Sequence, residues 1–271
     1  MSNELSAAKS KLGMSESLQQ YTSARVSLGH VGPAIPLHEQ LRFQLDHALA
    51  RDAVHAQLDV TAMMLGLQQR QIESLSLRSA VADESGHDRQ LYLRRPDLGR
   101  TLHHDSRQTL LQSSANLMNK PDVVIVIADG LSALAVDRHA LLLLDALFDR
   151  TRSLLSLDQW NIGPVCVVSQ GRVAIGDEIG DLLNAKLSIV LIGERPGLSA
   201  SDSLGVYITW NPRPGRTDAE RNCISNIRHE GLSYADAAQR IAFYMDGAKR
   251  LQATGIALKE NISRSEKTLT T

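Results

Sequence analysis

The chain has 271 residues, 43% of them hydrophobic, 22% charged and 4% aromatic, with a net charge of −1. That length suits one large domain, or one domain with an extension. The near-neutral balance and scarce aromatic rings exclude the footprint of a nucleic-acid or anionic-membrane binder, and no apolar run approaches the ~20 residues of a membrane span.

No basic segment followed by an apolar core opens the chain, so no secretory signal is expected. Residues 1–20 are polar with scattered Leu and Met, and fit either a frayed amphipathic tail or a targeting helix. Residues 21–36 hold Gly29, Gly32, Pro33 and Pro36 and read as an extended arm. Pro36 precedes a helix running toward His55, with Leu37, Leu41, Leu45 and Ala48 on one face and Arg42 spaced to pair with Asp46. Residues 60–80 repeat the helical pattern through Met63, Met64, Leu67 and Ile72. Residues 82–90 are charged and read as a loop, and Arg95-Pro96-Asp97-Leu98-Gly99 is a turn.

From residue 122 the pattern changes. Residues 122–128 are a continuous β-branched run, the mark of a strand buried on both faces, and end at Asp129-Gly130. A helix is expected over 131–148, a second strand over 165–169, a helix from Asp177 toward Ala185, a third strand over 187–193 and a fourth over 206–210. A short helix is expected within 218–227. Ser233 and Asp236 resemble a capping box that starts a helix with Ala237, Ile241, Met245, Ala248 and Leu251 on its apolar face. A short last strand is expected near 256–258. Alternating strands and helices predict an α/β fold. It is a Rossmann-like, mostly parallel sheet flanked by helices over residues 101–271, preceded by a helical region over 21–100 and the 1–20 segment.

In such a sheet the C-terminal strand ends share one edge, where ligands bind. The polar groups at those ends are Asp129, Gln170-Gly171-Arg172, Glu194-Arg195 and the stretch from Asn211. Arg195, Arg213, Arg216 and Arg221 would give the edge a positive character suited to a phosphate- or amide-bearing ligand. Glu194-Arg195-Pro196-Gly197 lies where an apolar strand becomes a loop, and reads either as a ligand contact or as an ion pair on a tight turn. Asp129 either binds a ligand or caps the following helix. Asn222, Cys223 and Asn226 fit a backbone-lined site for a large polar ligand, or a hydrogen-bonded loop with a buried thiol.

Cys166 reads as a small core residue. Two isolated cysteines give no zinc spacing and point to a reducing compartment, the cytoplasm by default. Asp129-Gly130-Leu131-Ser132 lacks the glycines of a dinucleotide fingerprint, no phosphate-binding G-x-x-x-x-G-K-[ST] loop occurs, and no nucleophile elbow is present. The nine histidines carry no metal-ligand spacing. The edge therefore reads as a binding surface with no catalytic residue and no metal ligand of its own.

A set of longer stretches carries more information. They are Ala24-Arg25-Val26 with Leu28-Gly29, Leu41-Arg42-Phe43-Gln44-Leu45, Ala50-Arg51-Asp52-Ala53-Val54-His55, Arg95-Pro96-Asp97-Leu98-Gly99-Arg100 and Ala128-Asp129-Gly130-Leu131-Ser132-Ala133. Further along come Gln170-Gly171-Arg172-Val173, Gly176-Asp177-Glu178-Ile179-Gly180, Gly193-Glu194-Arg195-Pro196-Gly197-Leu198-Ser199, Arg221-Asn222-Cys223-Ile224-Ser225-Asn226-Ile227 and Gly231-Leu232-Ser233-Tyr234. In these stretches, which cover roughly residues 21–260 in order, the chain resembles the small (light) subunit of ethanolamine ammonia-lyase.

The resemblance implies a part in an adenosylcobalamin-dependent lyase that converts ethanolamine to acetaldehyde and ammonia through radicals. It implies a large (heavy) subunit, a TIM barrel that holds the substrate and most catalytic groups. The small subunit covers the other side of the cobalamin with its Rossmann-like domain and is inactive alone. Several large–small pairs form one hetero-oligomer, and a bacterial microcompartment is an alternative to the open cytoplasm, with residues 1–20 as the candidate address. By motif, the family's cofactor-binding positions fall on Val173, Glu194 and Cys223. Cys223 is given no redox or cobalt-ligating role. Asp137-Arg138-His139 approaches the D-x-H-x-x-G lower-ligand motif of other cobalamin proteins but lacks its Gly. That agrees with a family in which the cofactor keeps its own dimethylbenzimidazole, and leaves His139 an ordinary helix residue. On the residues alone two other readings stay open: a free-standing nucleotide-dependent α/β enzyme, and a structural assembly protein that packs through its N-terminal segment.

Overall fold

A computed structural model describes residues 25–26, 28–81, 89–117, 119–154 and 160–259. Its strands are β1 Ser74–Arg78, β2 Val123–Ala128, β3 Val165–Ser169, β4 Leu187–Gly193, β5 Leu204–Trp210 and β6 Arg221–Ile227. They form one sheet in the order β1-β3-β2-β4-β5-β6. The first four are mutually parallel, and β5 and β6 each run antiparallel to the strand before. The helices are α1 Leu37–His55, α2 Val60–Gln69, α3 Arg89–Arg94, α4 His104–Asn116, α5 Ala133–Leu154, α6 Ile175–Leu183 and α7 Tyr234–Leu251. None of them is long and apolar enough to cross a membrane.

Every residue of β2 and β4 is buried, which is why both read as unbroken apolar runs. Ile125, Ile127, Ile189 and Leu191 face α2, α5 and α7, while Val124, Val126, Val190 and Ile192 face α4 and α6. Ser233 caps α7, its Oγ accepting the Asp236 amide at 3.2 Å, and Lys249 and Arg250 in the last turn suit the helix dipole.

The structure corrects several expectations. α2 stops at Gln69, the chain reverses through Gln71 at φ +58°, and the period-two Ser-Leu-Ser-Leu of residues 74–77 forms β1 beside β3, so 60–80 is not one helix. Residues 218–227 hold a single 3-10 turn, Asp218–Glu220, and then β6 rather than a helix. Gly255–Ala257 is a 3-10 turn, not a strand. α3 and α4 lay hidden, one by shortness and one by a sequence with little apolar content. On α1 only Ala53 is buried, the expected apolar face keeps Leu37, Leu41 and Leu45 exposed, and Asp46 pairs with Arg25 instead of Arg42.

The largest correction is one of direction. The connection over 194–203 is shorter than the dozen or so residues a parallel crossover needs, so β5 runs back. Asn211, Arg213, Arg216 and the start of β6 at Arg221 therefore lie at the opposite edge from Glu194. The cluster of four arginines does not form: Arg216 pairs with Glu220 and Arg221 with Asp177, and only Arg195 stands beside Glu194. The readings made for residues 1–20 and for most of the 82–90 loop lie outside the described residues.

Candidate functional site

The chain leaves β2, returns beside it as β3 through α5, then crosses to the other side of β2 through α6 to form β4. α5 and α6 cover opposite faces, so the C-terminal ends of β2 and β4 part at a topological switch point, where open α/β sheets bind ligands. A cavity of about 450 Å³ opens there. Gly130 and Leu131 line it after β2, Arg172 and Val173 after β3, Ile192 to Arg195 at the end of β4, and Tyr207 on β5.

Tight backbone contacts build its rim. Gly130 has φ +57°, and a Cβ there would lie 2.3 Å from the Gly193 carbonyl oxygen, which accepts the Leu131 amide at 2.9 Å. At the β3–α6 turn four amides are already committed. Gly171 donates to Asp129 Oδ1, Arg172 to the Gly99 carbonyl, Ile175 to the Arg172 carbonyl and Gly176 to the Val173 carbonyl.

Glu194 is half-buried at the end of β4. Its Oε2 accepts hydrogen bonds from Ser203 Oγ and, at 3.1 Å, from the Asn226 amide. That amide is available because β6 bulges: the register moves from Val206↔Ile224 to Leu204↔Ile227, and Asn226 turns to φ +61°. Arg195 is exposed and makes no ion pair among the described residues, so the ion-paired-turn alternative does not hold.

Cys223 lies on β6 directly opposite Tyr207, with Sγ 3.3 Å from Ser225 Oγ. Its thiol is exposed, against the buried-thiol alternative, whereas Cys166 is buried and its thiol is pushed up to about 12. Burial, then the neighbouring Cys223 and Glu194, raises the Tyr207 phenol. Val173 and Glu194 thus share one cavity, and Cys223 adjoins it through Tyr207. Asn222 is elsewhere, holding the C-terminal turn through Gly255 and Leu258.

Beneath the cavity lies a network of which sequence reasoning named Asp129, Gly171 and Arg172 but missed Arg89 and Tyr92. Asp129 Oδ1 accepts the Gly171 amide at 3.1 Å, and Oδ2 takes Arg89 Nη1 at 3.4 Å. Tyr92 donates its hydroxyl to the Gly171 carbonyl at 3.0 Å, and the Arg89 and Arg172 guanidiniums lie 4.6 and 4.1 Å from its ring centre. Burial pushes the Asp129 carboxyl up to about 6, opposed by Arg89 and the Gly171 amide. Asp129 is therefore a support for the Arg172-Val173 turn. The helix cap next to it is Ser132, whose Oγ accepts the Ala135 amide at 3.3 Å. Only Arg89 and Tyr92 on the unrecognised α3 gave no signal in the sequence. His139 is buried on α5 with Nδ1 2.8 Å from the Tyr234 hydroxyl and Nε2 3.4 Å from Asp202, away from the cavity.

Residues 13–259 match the family model of the ethanolamine ammonia-lyase light chain (EutC). The chain is similar to proteins named ethanolamine ammonia-lyase small subunit. The relative from Pseudomonas aeruginosa is 52% identical over 243 residues, covering 90% of this chain and 86% of the relative. That from Pseudomonas fluorescens is 53% identical, covering 90% and 85%. That from Xanthomonas campestris pv. campestris is 48% identical over 247 residues, covering 91% and 88%.

Proposed function

The chain belongs to the ethanolamine ammonia-lyase small-subunit family, and we propose that its C-terminal sheet edge is the face it turns to adenosylcobalamin and the large subunit. As a small subunit it acts within a lyase complex. The observation that carries the reading is convergence: Val173 and Glu194 line one cavity at the switch point and Cys223 adjoins it, although three separate elements supply them.

The residues present suit such a group. A broad, amide-fringed macrocycle needs hydrogen-bond acceptors at its rim and an open wall to lie against. Glu194 offers the acceptor, and the outer face of β5 and β6 offers the wall, with Tyr207 half-buried and Cys223 and Ser225 exposed. Val173 supplies apolar contact at the turn before α6. The small Cys223 side chain lets a ligand approach the strand closely. His139, held by Tyr234 and Asp202, is no candidate for a lower cobalt ligand, which fits a cofactor that keeps its own base. When bound, adenosylcobalamin supplies the radical chemistry that turns ethanolamine into acetaldehyde and ammonia; this chain binds, orients and shields. Several large–small pairs in one hetero-oligomer, and residence in the cytoplasm or a bacterial microcompartment, belong to the same proposal.

The test is reconstitution with the large subunit. Deamination should need this chain, the large subunit and adenosylcobalamin together. Val173→Ala, Glu194→Ala and Cys223→Leu combined should raise the cofactor concentration for half-maximal activity by at least about tenfold, one RT ln 10 of binding free energy. An unchanged cofactor dependence overturns the site.

A further inference from the structure

The Glu194 carboxylate places its donors differently from Asp177, Glu178 and Asp129. Asp177 uses both oxygens on Arg221, at 2.6 Å each. Glu178 takes Arg107 on Oε1 and the Leu102 amide on Oε2. Asp129 takes the Gly171 amide on one oxygen and Arg89 on the other. Glu194 instead places both of its donors, Ser203 Oγ and the Asn226 amide, on Oε2. Among the described residues Oε1 has no hydrogen-bond partner.

Three features hold that arrangement. Ser203 is only 6% exposed, and its own carbonyl accepts the Glu194 amide at 2.9 Å, so the hydroxyl is fixed beside the carboxylate. The β6 bulge turns the Asn226 amide toward the same oxygen. Gly205, buried on β5, leaves the space: a Cβ there would lie 3.0 Å from both Cγ and Oε1 of Glu194. The frame spends its donors on one oxygen and leaves the other, with its lone pairs, for an incoming donor.

We infer that Ser203 and Gly205 are positioning residues that hold Glu194 Oε1 ready for a neutral N–H or O–H donor of the bound ligand, the class to which amide fringes and ribose hydroxyls belong. The inference rests on the reading of Glu194 as a cofactor contact. A single acceptor oxygen selects donors and repels anions, so the part of the ligand that meets Glu194 carries no phosphate.

The experiment uses the complete complex with the large subunit and measures how ethanolamine deamination depends on adenosylcobalamin. Ser203→Ala should raise the cofactor KM about five- to tenfold with kcat at saturation kept, the share expected when one of two hydrogen bonds to a carboxylate is lost. Ser203→Thr, which keeps the hydroxyl, should restore most of the loss. Gly205→Ala should raise KM similarly while leaving thermal unfolding nearly unchanged, because its methyl displaces the end of a flexible side chain and not backbone. In a Glu194→Ala background, Ser203→Ala should add nothing. If Glu194→Ala raises KM but neither Ser203→Ala nor Gly205→Ala does, the positioning inference is overturned and the reading of Glu194 stands. A Ser203→Ala effect that persists in full without Glu194 also overturns it. If Glu194→Ala itself leaves KM unchanged, the reading of Glu194 fails and the inference with it. Should Ser203→Ala not assemble, Gly205→Ala against Glu194→Ala decides the same question.

Discussion

Asp129→Asn should remove a pH dependence of stability whose sign is opposite to that of an ordinary ion-paired carboxylate. Burial raises the Asp129 carboxyl from 3.8 to about 6 in the folded chain. Between those values the folded state keeps a proton that the unfolded state has released. The wild type therefore has its full contribution from this group below pH ~4 and loses it as pH rises through about 6. A shift of about two units, at about 1.4 kcal/mol each, is about 3 kcal/mol. The neighbouring Tyr92 phenol does not blur the window, because burial raises it further above its ordinary range. Urea denaturation of the full chain and the Asn variant, from pH 3.5 to 7.5, isolates the group, since all other titrations cancel in the difference. Wild-type stability relative to the variant should fall by about 3 kcal/mol between pH 4 and 7, on top of a constant offset from the changed Arg89 contact. A flat difference, or a wild type that gains on the variant as pH rises, would mean that Arg89 outweighs burial and the reasoning is wrong.

Three further outcomes follow from named contacts. Asp177→Ala leaves the Arg221 guanidinium buried without its bidentate carboxylate, since both side chains are 2% exposed, and should cost about 3–5 kcal/mol in chemical denaturation; a loss under 1 kcal/mol would show that Asp218, Thr209 Oγ1 and the Arg216 carbonyl suffice. Gly130→Ala forces a left-handed residue and a methyl group against the Gly193 carbonyl, and should cost at least about 2 kcal/mol, read in the same assay; a neutral result would refute the close-packed rim. A thiol reagent at pH 8 should modify Cys223 and spare Cys166, as read by mass spectrometry of the native chain, and Cys223 should become protected in the cofactor-loaded complex; equal modification of both, or no protection, counts against the assignment of the edge.

What the sequence disclosed depended on how each strand is covered. β2, β3 and β4 are buried along nearly their whole length, so burial wrote itself into continuous apolar runs. β1 is an edge strand of alternating Ser and Leu that follows a true helix closely, and its period of two was absorbed into the helical pattern before it. β6 reads Arg-Asn-Cys-Ile-Ser-Asn-Ile because only one of its faces meets the core. The polar residues that concealed it as a strand are the ones that mark it as a surface. The stretch with Asn222, Cys223 and Asn226 could be singled out as a site by composition, yet its secondary structure could not be named. Asp129 was visible at a strand end, but its partners Arg89 and Tyr92 come from a six-residue helix far away in the chain, and no local pattern encodes that meeting.

The mixed sheet explains why the binding surface exists at all. A wholly parallel sheet needs a crossover for every added strand, and those helices cover both faces. Here the parallel part ends at β4, and two short connections return the chain as β5 and β6 without a helix between them. α7 covers the inner face of this pair, where Val206, Ile208 and Ile224 are buried. α6 reaches the outer face only near Arg221 and Thr209. Toward the Glu194 end no described helix lies over Cys223 and Ser225, which stay exposed. The bulge at that same end releases the amide that orients Glu194. The reversal that the parallel reading missed therefore does two things: it bares the wall beside the cavity, and it places a donor on the carboxylate at its mouth. A helix packed over this face would cover Cys223 and Ser225 and close the site.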